Sequence, residues 1–333
     1  MAIKAKEPPV LFNETQALIR DIESHINRKL ICYWTSHRGA ICDNDVIAMY
    51  EILKNLGRQE RVGLFIKSDG GDVEAALRVV NLLREYNDNV VAYIPLESAS
   101  AATMIALGAD ELRMGPLAHL TAIDSSLRHD MSPVDPTDNR KVKVSQDELA
   151  RLVALWNKSS REHHDNPYTD IFKYIHPLVI GALDRSSSLS IKICKEILSY
   201  HISDESECER ISSHLNSLYP SHSYPITLKE AKSLGLKVSR LDAGINSKLL
   251  MINQYYSEMA QKALTDFDEY NYHDNEILNI LESDGLQVFY KNDKDWNYIK
   301  DERRWQSLND NSGWRKVMLD SKNKIFSSML HIR

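Results

Sequence analysis

Cysteine is scarce in this chain: four among 333 residues, Cys32, Cys42, Cys194 and Cys208, with no CxxC spacing. That usage excludes a disulfide framework and reads as reduced thiols or small core residues. Long apolar runs are absent too. Nowhere do about 18 uninterrupted apolar residues occur, so no transmembrane helix is expected. Met1 to Glu14 holds no apolar stretch long enough for a signal-peptide core, and the expectation is a cytoplasmic protein. An excess of positive charge is missing as well: 41 Lys and Arg stand against 47 Asp and Glu, a formal net charge of −6, which argues against a dedicated nucleic-acid binder. The glycine-rich loop at Ser68-Asp69-Gly70-Gly71 lacks the Gly-Lys-Ser/Thr ending of a Walker motif, so ATP would have to enter through a separate ATPase partner. Histidines and carboxylates are scattered without ligand spacing, and neither metal nor other cofactor is expected.

What is present is an α/β alternation. The composition, 43% hydrophobic and 26% charged, supports one large α/β domain with an appendage of roughly 80 to 100 residues. Leu30 to Trp34, Val62 to Ile66, Val90 to Ile94 and Leu112 to Met114 read as buried strands. Between them, a helix begins near Asp43 and stops around Gly57. A second is capped by Asp72 and carries Val73, Ala76, Leu77, Val80 and Leu83 on one face. The run Ala99 to Leu107 is small and apolar throughout, as expected of a helix buried on all sides. The pattern predicts a mainly parallel sheet with flanking helices. Arg128 to Arg140 reads as a polar loop, Ser145 opens an amphipathic helix, and Thr227 with Glu230 has the form of a capping box before Gly235. Helical periodicity continues from Ser247 to about Glu269. A polar tail follows with Trp296, Trp305 and Trp314, which suggests a packed module or a docking surface.

Two loops carry the chemistry. Ser68-Asp69-Gly70-Gly71-Asp72 follows one strand, Ser98-Ala99-Ser100-Ala101-Ala102-Thr103 follows the next, and Gly71 and Ser100 are 29 residues apart. One strand, one crossing helix and a second strand fit in that interval, so both loops can open at the same edge of a parallel sheet. Ser100 would then be a nucleophile at a strand-to-helix junction, with the Ala101 amide and that of Gly70 or Gly71 holding an oxyanion. Taken singly, Ser100 reads as a helix cap and Gly70-Gly71 as a tight turn. Their spacing sets both at one edge of the sheet, as the catalytic reading requires.

Four segments, Phe65 to Asp72, Asn81 to Tyr86, Ser100 to Glu111 and Tyr224 to Leu236, resemble the serine dehydrogenase proteinase family. That family belongs to the Clp protease and crotonase superfamily, alongside signal peptide peptidase A. The resemblance spans roughly residues 28–245. It implies an N-terminal helical segment over 1–27, a Clp/crotonase-like core over 28–245 and a C-terminal helical and Trp-bearing extension over 246–333. It also implies hydrolysis of a peptide or protein substrate through an acyl-enzyme at Ser100, in a homo-oligomer that shields the site. The same folds include non-catalytic scaffolds or peptide-binding proteins and acyl-CoA enzymes, which stand as alternatives.

The general base stays open. In the Clp proteolytic subunit a histidine follows the nucleophile by roughly two dozen positions, where this chain has Ile123-Asp124-Ser125-Ser126. A serine–lysine dyad, as in signal peptide peptidase A, would draw on Lys141 or Lys143, which must be buried to lower a pKa of about 10.4. A third route uses His222, just before Tyr224-Pro225, with Asp124 to orient it.

Overall fold

The computed structural model describes residues 4–124, 126–127, 129–135, 140–142, 144–159, 166–319 and 324–332. The chain forms two compact units, Met1–Leu120 with Pro225–Arg333, and Thr121–Tyr224.

The first unit opens with α1 (Phe12–Ile26), β1 (Lys29–Thr35), α2 (Asp43–Leu56), β2 (Gln59–Lys67), α3 (Val73–Tyr86) and β3 (Asn87–Ile94). It continues through β4 (Glu97–Ser98), α4 (Ala101–Leu107), β5 (Glu111–Met114) and β6 (His119–Leu120). β1, β2, β3 and β5 lie parallel and in that order. Covered on both faces, they read as continuous apolar runs rather than alternating ones. Local chemistry sets the helix ends. Cys42 and Asp45 form a reciprocal capping box at the start of α2, and Gly57 ends it with φ 67°. Asp72 caps α3 by accepting from the backbone N–H groups of Glu74 (2.8 Å) and Ala75 (2.9 Å), as its position predicts.

The second unit holds β7 (Ser126–Leu127), β8 (Val144–Ser145), α5 (Gln146–Ser159), α6 (Tyr168–Ile171), α7 (Pro177–Leu198) and α8 (Glu205–Ser217). Its apolar centre comprises Val144, Leu149, Ile171, Val179 and Leu183. Pro177 supplies the preset first turn of α7, and the His176 ring nitrogen accepts from the Leu178 amide at 3.2 Å.

The chain returns to the first unit with α9 (Leu228–Ser233), β9 (Val238–Arg240) and α10 (Ala243–Met259). Then come β10 (Ala263–Asp266), β11 (Asn271–Ser283), β12 (Leu286–Ile299), β13 (Arg304–Asp310), β14 (Gly313–Leu319) and β15 (Ile325–Leu330). β9 adds in parallel beside β5, while β11 adds antiparallel to β1. The sheet therefore runs β15-β14-β12-β11-β1-β2-β3-β5-β9, with β10 on β11 and β13 on β12. Two expectations change here. Helical structure ends at Met259, not near Glu269, and the tail beyond it is strand, with Trp314 buried in the sheet and Trp305 exposed. At α9, Thr227 sits at the cap position but its side chain makes no cap hydrogen bond.

α1, α10 and the sheet enclose one core, with Phe12, Leu30, Trp34, Tyr256, Ile280 and Phe289 among its members. A buried carboxylate stands within this unit. Glu282 on β11 accepts from Thr15 Oγ1 (2.6 Å), Gln16 Nε2 (2.7 Å), Tyr256 OH (2.7 Å) and Gln287 Nε2 (2.7 Å), so the first helix, α10 and the antiparallel strands share one polar hub. Burying such a group is tolerable only with its lone pairs filled in this way. All four cysteines are free thiols. Among the described residues no helix is long and apolar enough to cross a membrane.

Candidate active site

The two glycine- and serine-bearing loops meet in the first unit. Ser68 and Ser98 form a parallel bridge, with the Ser68 amide donating to Glu97 O (3.3 Å) and the Ala99 amide to Ser68 O (2.9 Å). Ile41, at the entry to α2, locks the glycine loop from the other side. Its amide donates to Gly70 O (2.9 Å), and the Asp72 amide donates to Ile41 O (2.9 Å). Sequence reading missed Ile41, and no signal marks it, because it acts through backbone atoms any residue would supply.

Gly70 and Gly71 have φ values of 105° and 152°, a region that favours glycine. Space enforces the same choice. A Cβ on Gly71 would stand 2.3 Å from Ile41 O, and one on Gly70 would stand 2.8 Å from both Ala99 O and Ser100 Cβ. Gly70 thus abuts the Ser100 turn directly. Its own amide is committed, donating to Ser68 Oγ at 3.1 Å, while Ser68 Oγ accepts in turn from Thr35 Oγ1 at 2.8 Å.

Ser100 occupies the turn between β4 and α4 with φ 53° and ψ −118°. A non-glycine residue held there stores of order 1–3 kcal/mol of strain, which surrounding structure must overcome. Although Ser100 precedes the helix, its side chain makes no cap hydrogen bond, so the plain helix-cap reading fails. α4 behind it is wholly buried, and Thr103 Oγ1 anchors its first turn to Ser98 O at 2.7 Å. The Ala101 amide, first in the helix, has no intrahelical acceptor by geometry.

The base candidates lie in the second unit. His222 Nδ1 and Asp124 Oδ1 are 2.8 Å apart, with the histidine side chain about half exposed and the carboxylate mostly covered. Ile123, next to Asp124 in the chain, is held to α8 by a hydrogen bond from its amide to Leu215 O at 3.0 Å. Lys141 has a different setting. It pairs at 2.5 Å with the exposed Asp130, and this ion pair holds the Asp130 carboxyl below its ordinary pKa. Lys143 lies outside the described residues. Among the described residues no cluster of histidine, cysteine and carboxylate side chains could hold a metal.

Residues 14–175 match the Clp protease family, and the α/β architecture of the chain is the Clp/crotonase-like fold. Two proteins of Methanocaldococcus jannaschii, both named as uncharacterized, are related in sequence. MJ0137 is 22% identical over 216 residues, covering 64% of this chain and 65% of that protein. MJ1495 is 24% identical over 179 residues, covering 54% and 52%. The chain spans less than two thirds of the length of either relative. Among solved structures, the 1510-N membrane-bound stomatin-specific protease is similar at 15% identity and TM-score 0.38, covering 71% of this chain and 87% of that one. ClpP1 from Listeria monocytogenes is similar at 13% identity and TM-score 0.37, covering 71% and 99%.

Proposed function

We propose that this protein is a serine peptidase-like hydrolase of the serine dehydrogenase proteinase type, cytoplasmic and homo-oligomeric, that forms an acyl-enzyme at Ser100. The observation that carries the reading is the strained Ser100 turn, uncommitted to helix capping and pressed against Gly70. Ser100 Oγ attacks the carbonyl carbon of a peptide bond, and the tetrahedral oxyanion accepts from the Gly71 and Ala101 amides. Gly71 is preferred over Gly70 because the Gly70 N–H already serves Ser68 Oγ. One such donor is worth about 2.7–4 kcal/mol of transition-state stabilisation.

For the base, the reading favours His222. Its Nδ1–H donates to Asp124, which sets Nε2 as the basic nitrogen, and a general base in that state takes the nucleophile's proton and passes it to the departing amine. A water activated by the same nitrogen then releases the acyl group. Lys141 fits this role less well, since an ammonium ion-paired to Asp130 has no lone pair to accept a proton.

A fluorophosphonate probe tests the proposal. The wild type should label, Ser100→Ala should not, and His222→Ala should label about 10²–10⁴-fold more slowly while Lys141→Ala stays near wild type. A wild type that fails to label would overturn the hydrolase reading and leave the non-catalytic peptide-binding alternative.

A further inference from the structure

A second feature of the first unit lies close in sequence to the oxyanion loop. A cavity of about 370 Å³ opens at the carboxyl ends of β1 and β2, lined by Trp34, His37, Arg38, Lys67, Lys262 and Glu276 among others. In parallel sheets this edge is where ligands bind. Both strands lead from the cavity to the glycine loop within a few residues: Arg38 is three residues before Ile41, and Lys67 three before Gly70. Gly71, the proposed oxyanion donor, is four residues beyond Lys67, so at about 3.3–3.6 Å per extended residue that wall lies within roughly 13–14 Å of it.

The charges are layered. Three cations line the space, each with a carboxylate partner: Arg38 with Glu276 (2.6 Å), Lys67 with Glu97 (2.9 Å) and Lys262 with Asp274 (3.6 Å). Arg38 and Lys262 are substantially exposed at 42% and 40%, whereas their partners Glu276 and Asp274 are covered at 1% and 5%. Lys67 is spent on structure, since it also donates to Thr35 O at 3.1 Å and sits 5.1 Å from the centre of the Trp34 ring. Arg38 and Lys262 therefore remain to meet a ligand. Glu276 adds the opposite demand. Its Oε2 accepts from Arg38, but its buried Oε1 has no hydrogen-bond partner among the described residues, an unusual cost for a carboxylate oxygen.

We propose that this cavity is a subsite for a carboxylate-bearing peptide, with the carboxylate between Arg38 and Lys262 and a neighbouring N–H turned to Glu276. The buried acids Glu276 and Asp274 count against a dianion such as phosphate, whose second charge would meet their repulsion. Trp34 and the (CH₂) stem of Lys67 give the peptide an apolar wall. The inference rests on the peptidase reading only in taking a peptide as ligand, and it makes the enzyme selective for acidic sequences.

Binding measured on the Ser100→Ala protein separates the two claims, because no turnover is needed. Calorimetric titration would compare four probes: Ac-Ala-Ala-Glu-Ala-Ala-NH₂, the same peptide with Gln, Ac-Ala-Ala-Ala with a free C-terminus, and inorganic phosphate. The Glu peptide should bind at least tenfold more tightly than the Gln peptide. Arg38→Gln and, independently, the exposed Lys262→Gln should each reduce that preference by threefold or more. Tighter binding of the free C-terminus than of the Glu peptide would assign the subsite to chain ends instead of side chains, with the same dependence on both cations. Equal binding of Glu and Gln peptides, a preference that survives both substitutions, or phosphate binding as well as the Glu peptide would overturn it. If the wild type fails to label with fluorophosphonate yet the Glu preference holds, the subsite stands and the hydrolase reading falls.

Discussion

The glycines of the oxyanion loop show how one atom decides a site. An alanine at position 71 would drive its Cβ to 2.3 Å from Ile41 O and 2.5 Å from Ile41 N, both backbone atoms that cannot rotate away. At position 70 the added carbon meets Ser100 Cβ at 2.8 Å, so the collision falls on the proposed nucleophile itself. Gly57 offers the control. It has φ 67° but nothing within 4 Å of a built Cβ, so Gly57→Ala carries only backbone strain, about 1 kcal/mol. Gly71→Ala should lower the urea midpoint by the equivalent of more than ~2 kcal/mol. Gly70→Ala should lose fluorophosphonate labelling out of proportion to any loss of stability. If Gly71→Ala unfolded at the same urea concentration as Gly57→Ala, the proposed lock between Ile41 and the glycine loop would be wrong.

At the scale of elements, α2 is tied to the antiparallel part of the sheet through a buried acid. Asp45, in the first turn of α2, accepts from the Cys42 amide (2.7 Å) and from Asn279 Nδ2 on β11 (2.9 Å to one oxygen). Burial pushes its carboxyl up to about 6, against hydrogen bonds that pull it down. The sign follows from linkage. Between the ordinary value of 3.8 and about 6 the folded state binds more protons than the unfolded chain, so stability is fullest at low pH and declines as pH rises through that window. The span corresponds to at most ~3 kcal/mol. Unfolding midpoints measured from pH 4 to 7 should show this decline, and Asp45→Asn should flatten most of it. Glu282 and Glu276, whose carboxyls burial also raises, add to the same slope, while carboxyls held low by a cation, such as Glu97 beside Lys67, act in the opposite sense. An Asp45→Asn protein whose pH dependence matches that of the wild type would contradict the assignment.

The same scale separates what could be read in the sequence from what could not. β1, β2, β3 and β5, with the helices between them, were legible because a strand buried on both faces is an apolar run, and the Asp72 cap and the Gly57 stop have local causes. The strands after Met259 were not. β11, Asn-Tyr-His-Asp-Asn-Glu-Ile-Leu-Asn-Ile-Leu-Glu-Ser, is almost entirely buried yet carries two Glu, an Asp and three Asn, since its polar groups are met by partners distant in sequence such as Thr15, Gln16 and Asp45. No periodicity records such pairings. Within the candidate site, Ser100 and Gly70-Gly71 could be read because each sits at the end of a recognisable strand. Asp124 and His222, 98 residues apart, could be paired because a histidine base needs a carboxylate to orient it, and they stand 2.8 Å apart. The backbone lock by Ile41 had no such cue.

For the whole molecule, the consequential fact is that the chain leaves the first unit and returns to it at one place. Leu120 and Ile226 form an antiparallel bridge with reciprocal amide bonds of 3.0 and 2.8 Å, so the two ends of the inserted unit emerge side by side. Residues 121–224 can therefore be replaced by a short Gly-Ser turn without stretching the sheet, because closing a loop of a few residues there costs little entropy. The sheet from β15 to β9, the Glu282 hub and the Ser100 turn all lie outside the excised segment. The shortened protein should fold, shown by a single cooperative thermal transition, and should keep the acidic-peptide preference of the cavity beside β1 and β2. It should lose fluorophosphonate reactivity, since Asp124, Lys141 and His222 leave together. Truncation before β10 is the contrasting case. It strips β11 from β1 and takes from Thr15, Gln16 and Tyr256 the acceptor they share, leaving a long apolar edge exposed, so that variant should aggregate. Retained labelling in the excised protein would place the base within the first unit and remove His222 from the mechanism.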